Sequence, residues 1–75
     1  MASKNINKEN IPNFILKIDT TSEAGVIYIG TALPGSSNND NVWQIQKFDG
    51  TSLLFAKGND LFDKSWADRT SYSYA

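Results

Sequence analysis

Alternation of apolar and polar side chains with a period of two runs through most of this chain, and it predicts β-strands. The first such run is residues 13–19 (NFILKID), where every second side chain is large and apolar. We expect one side of this strand to face the core, and that side carries Phe14, Leu16 and Ile18.

The second run, residues 26–31 (VIYIGT), is apolar on both of its sides. This pattern is typical of a central strand that is covered on two faces, with Tyr28 as a core side chain. Gly30 stands inside the run, where glycine indicates a bulge or a close approach of another group to the backbone.

The third run, residues 42–57 (VWQIQKFDGTSLLFAK), predicts a β-hairpin that turns at Asp49 and Gly50. Asp-Gly favours a tight type I′ turn, which pairs Phe48 with Thr51. A three-residue loop with a bulge shifts this pairing by one residue and stays open as an alternative. The side expected to face the core carries Trp43, Ile45, Leu54 and Ala56. The other side is half apolar, with Phe48, Leu53 and Phe55 among Gln44 and Gln46.

Beyond the hairpin the pattern weakens. Residues 58–69 contain Phe62 and Trp66 at helical spacing and indicate a helical turn or an irregular loop. Residues 71–75 (SYSYA) alternate again and predict a last short strand.

These elements together predict an all-β fold: a small antiparallel sandwich or barrel of about five short strands. At most one helical turn is expected, near residues 59–66. We divide the chain into an extended or flexible N-terminal arm, residues 1–12, and a single small β domain, residues 13–75.

Composition limits how such a small domain is stabilised. A chain of 75 residues buries a modest share of its surface and usually needs a disulfide, a metal or a partner chain. The sequence has no cysteine and no histidine, so we predict no disulfide, no metal site and no cofactor. Association into a homo-oligomer is the remaining common route.

Charge argues against several partners and activities. The net charge is −1 with both signs mixed along the chain, whereas nucleic acids and anionic membranes bind basic patches. We therefore predict no nucleic-acid partner and no membrane partner. Catalysis needs a positioned acid, base or nucleophile, and the scattered carboxylates fit helix capping and solvation better. The chain is predicted not to be an enzyme, with no catalytic residues.

Aromatic side chains are numerous for the length of the chain, and one small core cannot enclose all of them. We expect some to be half exposed and to contact a partner surface. The candidate partner interface consists of Phe62, Trp66, Arg69, Tyr72, Tyr74, Leu53 and Phe55. Arg69 is expected to lie over the Trp66 indole or to bridge to Asp68.

In the order of its short motifs, the chain resembles small virion-associated structural proteins of tailed bacteriophages. The pattern is Y-I-G-x-A-x-P-G at residues 28–35, V-W-x-I-x-K at residues 42–47, and F-x-x-x-W-x-D-R at residues 62–69, followed by a tyrosine. The match runs from Val26 to the end of the chain. One departure is at residues 55–58, where Phe-Ala-Lys-Gly replaces Trp-Ala-Asp-Gly and Lys57 reverses the charge.

This resemblance implies a structural component of a tailed phage virion, synthesised in the cytoplasm of the bacterial host. It implies a multicopy assembly or attachment protein of the tail or fibre region, whose partners are other virion proteins. One alternative is a capsid decoration (head cement) protein. A second alternative, from another class, is a small carbohydrate-binding module that contacts host glycans through Trp66, Tyr72 and Tyr74.

Overall fold

Five short antiparallel strands form the structure, and this confirms the predicted all-β fold. The computed structural model describes residues 13–75; the predicted N-terminal arm, residues 1–12, lies outside them. The elements in chain order are β1 (Ile15–Asp19), β2 (Ile27–Ala32), β3 (Asn41–Phe48), β4 (Leu53–Phe55), β5 (Lys64–Ser65) and a 3₁₀ helix (Trp66–Asp68).

The strands lie in one sheet with the order β1-β2-β3-β4. β3 is the longest strand and organises the sheet, because it pairs with β4 near its end and with β5 near its beginning. A β-bulge between Asn41 and Trp43 bends β3 at the β5 pairing. Both short strands therefore share one edge of β3, and no strand within residues 13–75 pairs with the outer edge of β1.

The last strand was predicted in the wrong place. Residues 71–75 contain one isolated bridge, between Tyr74 and Ala56, and Phe55 exchanges two backbone hydrogen bonds with Ala75 (3.0 and 3.1 Å). The fifth strand is instead Lys64–Ser65, and the helical turn follows it at Trp66–Asp68. A strand of two residues is too short to show alternation in the sequence. Its position is determined by tertiary pairing with β3.

The β3–β4 hairpin has a different register from the predicted one. Phe48 pairs with Leu53 rather than with Thr51, a shift of two residues. The Asp49 carboxylate accepts hydrogen bonds from the Thr51 and Ser52 amides (2.9 and 2.8 Å), which stabilises a wider loop. Gly50 has positive φ and Asp49 does not, so the turn is not type I′. A shift of two residues leaves each side chain on its predicted face.

Two consecutive positive φ angles, the mark of a type I′ turn, occur instead at Lys57 (58°) and Gly58 (72°). The Asn59 amide closes this turn on the Ala56 carbonyl (3.4 Å). The turn reverses the chain directly after β4.

β1 presents the opposite side to the core from the one predicted. Phe14, Leu16 and Ile18 are 45, 62 and 63% exposed, whereas Asp19 is buried and Ile15 packs against the core. Asp19 binds the amides of the following turn and Arg69, and a one-residue slip would turn it away from both. The ion pair and the turn therefore determine which side of β1 faces the core, and they override the apolar pattern.

The core lies on one face of the sheet, which we call the inner face. The chain after β4 crosses this face and covers it with Trp66, while Tyr72 and Tyr74 pack at its margin. Trp43 and Trp66 meet at a centroid distance of 5.9 Å. The buried apolar residues are Val26, Tyr28, Ala32, Trp43, Ile45, Ala56 and Trp66, and Leu54 is half-buried.

Candidate docking surface

The second face of the sheet, which we call the outer face, is apolar, and most of it is not covered by any other part of residues 13–75. The loop after β4 contacts it at one point, where the Gln44 side chain donates to the Asp60 carbonyl (3.0 Å). Strand registers place the alternate side chains of β1 to β4 together on it, because paired residues of neighbouring strands point to the same side. The outer face consists of Phe14, Leu16, Ile18, Ile27, Ile29, Thr31, Leu33, Val42, Gln44, Gln46, Phe48, Leu53, Phe55 and Phe62.

The outer face is continuous across four strands. One cross-strand row runs Ile18, Ile29, Gln46 and Phe55, and the next runs Ile27, Phe48 and Leu53. A third row, Leu16, Thr31 and Gln44, is its most polar part.

The exposed apolar area of the outer face is large for a monomeric domain of this size. Ile18 and Leu16 are more than 60% exposed, and Leu53 and Leu33 are each 52% exposed. Eight large apolar side chains of the outer face are 36–63% exposed, and they present on the order of several hundred Å² of apolar surface, at least as much as the about 300–600 Å² of the largest patch on a typical monomer. Patches of this size mark interaction sites in soluble proteins.

The outer face contains no charged side chain. The charged residues of β1 to β4, which are Lys17, Asp19 and Lys47, all point to the inner face and lie at its margin. The usual arrangement of a half-solvated sheet, with charges outward, is therefore inverted here. Such a surface suits contact with another uncharged surface.

A cleft of about 320 Å³ lies at one end of the outer face. Leu33, Ser36, Val42 and Phe62 line it, and Phe62 stacks on Phe14 with ring centroids 5.4 Å apart. The ring pair fixes the wall of the cleft, which has room for one or two apolar side chains of a partner.

Three of the seven predicted interface residues lie on the outer face: Leu53, Phe55 and Phe62. Trp66 does not, and its placement at an interface was wrong, because it is 5% exposed and packs on Trp43 and Gly30. Trp66 therefore offers no ring face for a sugar to stack on.

Arg69 connects three parts of the fold. It lies over the Trp66 indole at 4.5 Å, as expected, but its ion-pair partner is Asp19 (Nε to Oδ2, 2.8 Å) rather than Asp68. Its Nη1 donates to the Trp66 carbonyl (3.1 Å), and its own carbonyl accepts from the Tyr74 hydroxyl (2.6 Å). Its side chain is 23% exposed, and its contacts hold β1, the 3₁₀ helix and the C-terminal residues together.

Asp19 is held in its ionised form by this arrangement. Its carboxylate accepts hydrogen bonds from the Ser22 hydroxyl, the Thr21 amide and Arg69. These bonds, with the Ser22 hydroxyl first, lower the pKa of Asp19 well below its ordinary value of 3.8. A cleft of about 330 Å³ adjoins the pair, but its acid and its guanidinium are already bound to each other.

Tyr72 and Tyr74 are half-buried, and both hydroxyls have internal partners. The Ser65 amide donates to the Tyr72 hydroxyl (2.8 Å), and Tyr74 donates to Arg69. Burial raises the pKa of the Tyr74 hydroxyl above its ordinary range. These residues, with Arg69, stabilise the inner layer.

Lys64 is a buried residue whose role the sequence did not indicate. Its side chain is 1% exposed and its ammonium contacts Asp63 (2.8 Å), the Asn59 side-chain oxygen and the Leu61 carbonyl (3.4 Å). A buried ammonium needs such partners. The contacts close the loop between β4 and β5.

The outer face includes residues that sequence reasoning assigned elsewhere. Phe14, Leu16 and Ile18 were placed in the core, and Ile27 and Ile29 were taken to be covered by a second layer. One available signal was the absence of any charge from both sides of residues 26–31 and from alternate positions of β3. Leu33 and Val42 stand in or next to a polar loop and gave no signal.

No set of three metal-binding side chains is found among residues 13–75, and no helix in that range is long and apolar enough to cross a membrane. Comparison with protein-family models, with curated proteins and with solved structures gave no match for this chain. The resemblance to phage structural proteins therefore stays a prediction from the sequence motifs.

Proposed function

We propose that this chain is a structural component of a tailed bacteriophage virion, a multicopy assembly protein of the tail or fibre region that attaches through its outer face. The observation that carries the assembly role is the uncharged apolar sheet face that residues 13–75 leave mostly uncovered. The phage setting rests on the order of the motifs between Tyr28 and Arg69.

The side-chain chemistry supports an assembly role better than catalysis or sugar binding. The ionisable groups with clear partners, Asp19 with Arg69 and Lys64 with Asp63, join segments of the fold to each other. The Trp66 indole is enclosed, and the Tyr72 and Tyr74 hydroxyls bind backbone groups. The large exposed surface that remains is apolar, and burying it against a partner would stabilise a complex by about 25 cal/mol per Å² before association costs.

Incorporation into particles tests this proposal. Particles of the phage that encodes the chain are purified after complementation with the wild-type chain, Leu53→Glu or Leu61→Glu. Leu53 is on the outer face and Leu61 is in the loop after β4, with similar exposure (52 and 55%), so the two variants are a matched pair.

We expect mass spectrometry to find many copies of the wild-type chain and of Leu61→Glu per particle, and a loss of at least tenfold for Leu53→Glu. Cryo-electron microscopy then shows whether the density lies on the tail or on the head, and head density selects the decoration alternative. Absence of the wild-type chain from particles, or equal incorporation of both variants, would overturn the proposal.

A further inference from the structure

The outer face is suited to contact with a copy of itself, and we infer that its first partner is a second copy of this chain, packed face to face around a two-fold axis. This inference rests on the assembly role proposed above and names the partner of the same surface. Three observations carry it: the area of the face, its lack of charge and the placement of its polar groups.

The available area fits a symmetric dimer. The exposed apolar surface, on the order of several hundred Å², is comparable to the about 800 Å² that each partner buries in an interface of standard size. The N-terminal residues 1–12 are a poor alternative cover, since their large apolar side chains are only Met1, Ile6 and Ile11.

The chemistry of the outer face is compatible with itself. A two-fold interface brings the same patch of each copy together, so a charged residue near the axis would meet its own charge. The outer face has no charge, and its polar side chains are Thr31, Gln44 and Gln46. A hydroxyl and an amide each donate and accept hydrogen bonds, so a side chain of either kind near the axis can pair with its own symmetry mate. Gln44 keeps acceptor capacity and a second N–H for this, because its Nε2 also donates to the Asp60 carbonyl (3.0 Å).

The polar groups also indicate where the axis passes. Thr31 and Gln44 are paired across β2 and β3, and they lie between the cleft on one side and the row that contains Phe55 on the other. Two residues along a strand span about 7 Å, so the two apolar areas are similarly distant from this pair. A two-fold axis that lies in the interface and runs across the strands, along the row of Thr31 and Gln44, places the Phe55 row of one copy against the Leu33–Val42 cleft of the other.

Sedimentation of the purified chain tests the dimer. We expect a monomer–dimer equilibrium between low-micromolar and submillimolar concentrations, with at least tenfold weaker association in Ile18→Lys and Leu53→Glu. Leu61→Glu is the control and should associate as the wild type does. Both outer-face positions are more than half exposed, so the variants should keep the wild-type circular dichroism spectrum.

Cross-linking tests the position of the axis, because the chain has no cysteine of its own. A short bismaleimide should link Thr31→Cys into a dimer and should not link Ala67→Cys, which is exposed in the 3₁₀ helix of the layer that covers the inner face. Linkage of both variants, or of Ala67→Cys alone, would overturn the proposed arrangement.

The outcomes separate this inference from the proposed function. A chain that is monomeric at every concentration, yet enters particles in a Leu53-dependent way, disproves the dimer and leaves the virion role standing. If the dimer forms through the outer face but the chain is absent from particles, the virion role is disproved and the dimer stands. A dimer that persists in Ile18→Lys and Leu53→Glu forms through another surface and contradicts the inference.

Discussion

Gly30 sets the separation between the sheet and the layer that covers it. A Cβ at this position would lie 2.7 Å from Cζ3 of Trp66 and 3.0 Å from Cε3 of Trp43. Side-chain atoms do not approach so closely, so the two indoles occupy space that only glycine leaves free. The sequence indicated a close approach here, and the structure identifies the approaching groups as both tryptophans.

Substituting Gly30 with alanine is therefore expected to destabilise the fold by about 1–3 kcal/mol, the usual cost of overpacking a filled core. Urea unfolding followed by circular dichroism measures the loss. Thr31→Ala, the next residue of β2 on the outer face, is the control and should lose under about 1 kcal/mol. Equal losses for both variants would show that the indoles move aside.

Asp19 gives the fold a dependence on pH with a definite sign. Its pKa is lower in the folded chain than in the unfolded chain, so it stabilises the fold above its ordinary pKa of 3.8. That stabilisation is lost as the pH falls below 3.8 towards the folded-state pKa. Asp49, whose pKa the Ser52 and Thr51 amides also lower, acts in the same direction.

We expect the thermal midpoint of the wild-type chain to fall between pH 4 and pH 2, and Asp19→Asn to flatten this fall. Asp49→Asn should remove a separate part of it, and the double variant should be the flattest. Differential scanning calorimetry across this pH range measures the four curves. A wild-type slope retained in Asp19→Asn would mean that the bonds from Ser22, Thr21 and Arg69 to the Asp19 carboxylate do not act on stability.

At the scale of elements, the C-terminal residues act as a strap rather than as a strand. The Lys57 amide donates to the Ser73 carbonyl (2.7 Å), and Phe55 and Ala75 exchange two bonds. The Tyr74 ring meets Tyr28 at 5.8 Å while its hydroxyl reaches Arg69. These contacts hold the C-terminal residues at one margin of the inner layer, although they form only a single β-bridge.

Deleting Tyr74 and Ala75 is expected to destabilise the chain by about 2–4 kcal/mol, because a half-buried ring and two backbone bonds are lost. Tyr74→Phe keeps the ring and the backbone and should lose about 1 kcal/mol, the contribution of one hydrogen bond. Chemical unfolding compares the two. If they are equally stable, the ring and the strap add nothing beyond the hydroxyl.

The elements also show how far the sequence carried the prediction. Long alternating runs gave β1, β2 and β3, and an even register shift left the β3–β4 faces as predicted. β5 was missed because two residues have no period, and β1 was reversed because Asp19 pairs with Arg69, 50 residues away. Of the residues predicted at a partner interface, Leu53, Phe55 and Phe62 lie on the outer face, whereas Trp66 is buried, and the sequence did not distinguish its ring from the exposed ones.

At the scale of the whole molecule, a single sheet carries two apolar faces, and residues 13–75 cover one of them. A folded species that is completed by association gains stability as its concentration rises, through mass action. The fraction of molecules whose outer face is buried therefore depends on the protein concentration as well as on the fold.

The thermal midpoint of the wild-type chain is expected to rise with protein concentration, by several degrees over a hundredfold range. Leu53→Glu should have a midpoint that does not change with concentration, and Leu61→Glu should follow the wild type. Differential scanning fluorimetry with an external dye is unsuitable because dyes bind apolar surfaces, so calorimetry is the measurement. A concentration-independent wild-type midpoint would contradict association through the outer face.

The two indoles lie on the same side of the sheet, away from the outer face. Trp43 is fully buried with its ring nitrogen donating to the Ser37 carbonyl (2.9 Å), and Trp66 is enclosed between Trp43 and Arg69. Their intrinsic emission should respond when the inner layer opens and stay constant when the outer face gains or loses a neighbour. The chain thus contains an optical reporter of its own integrity that is insensitive to its assembly.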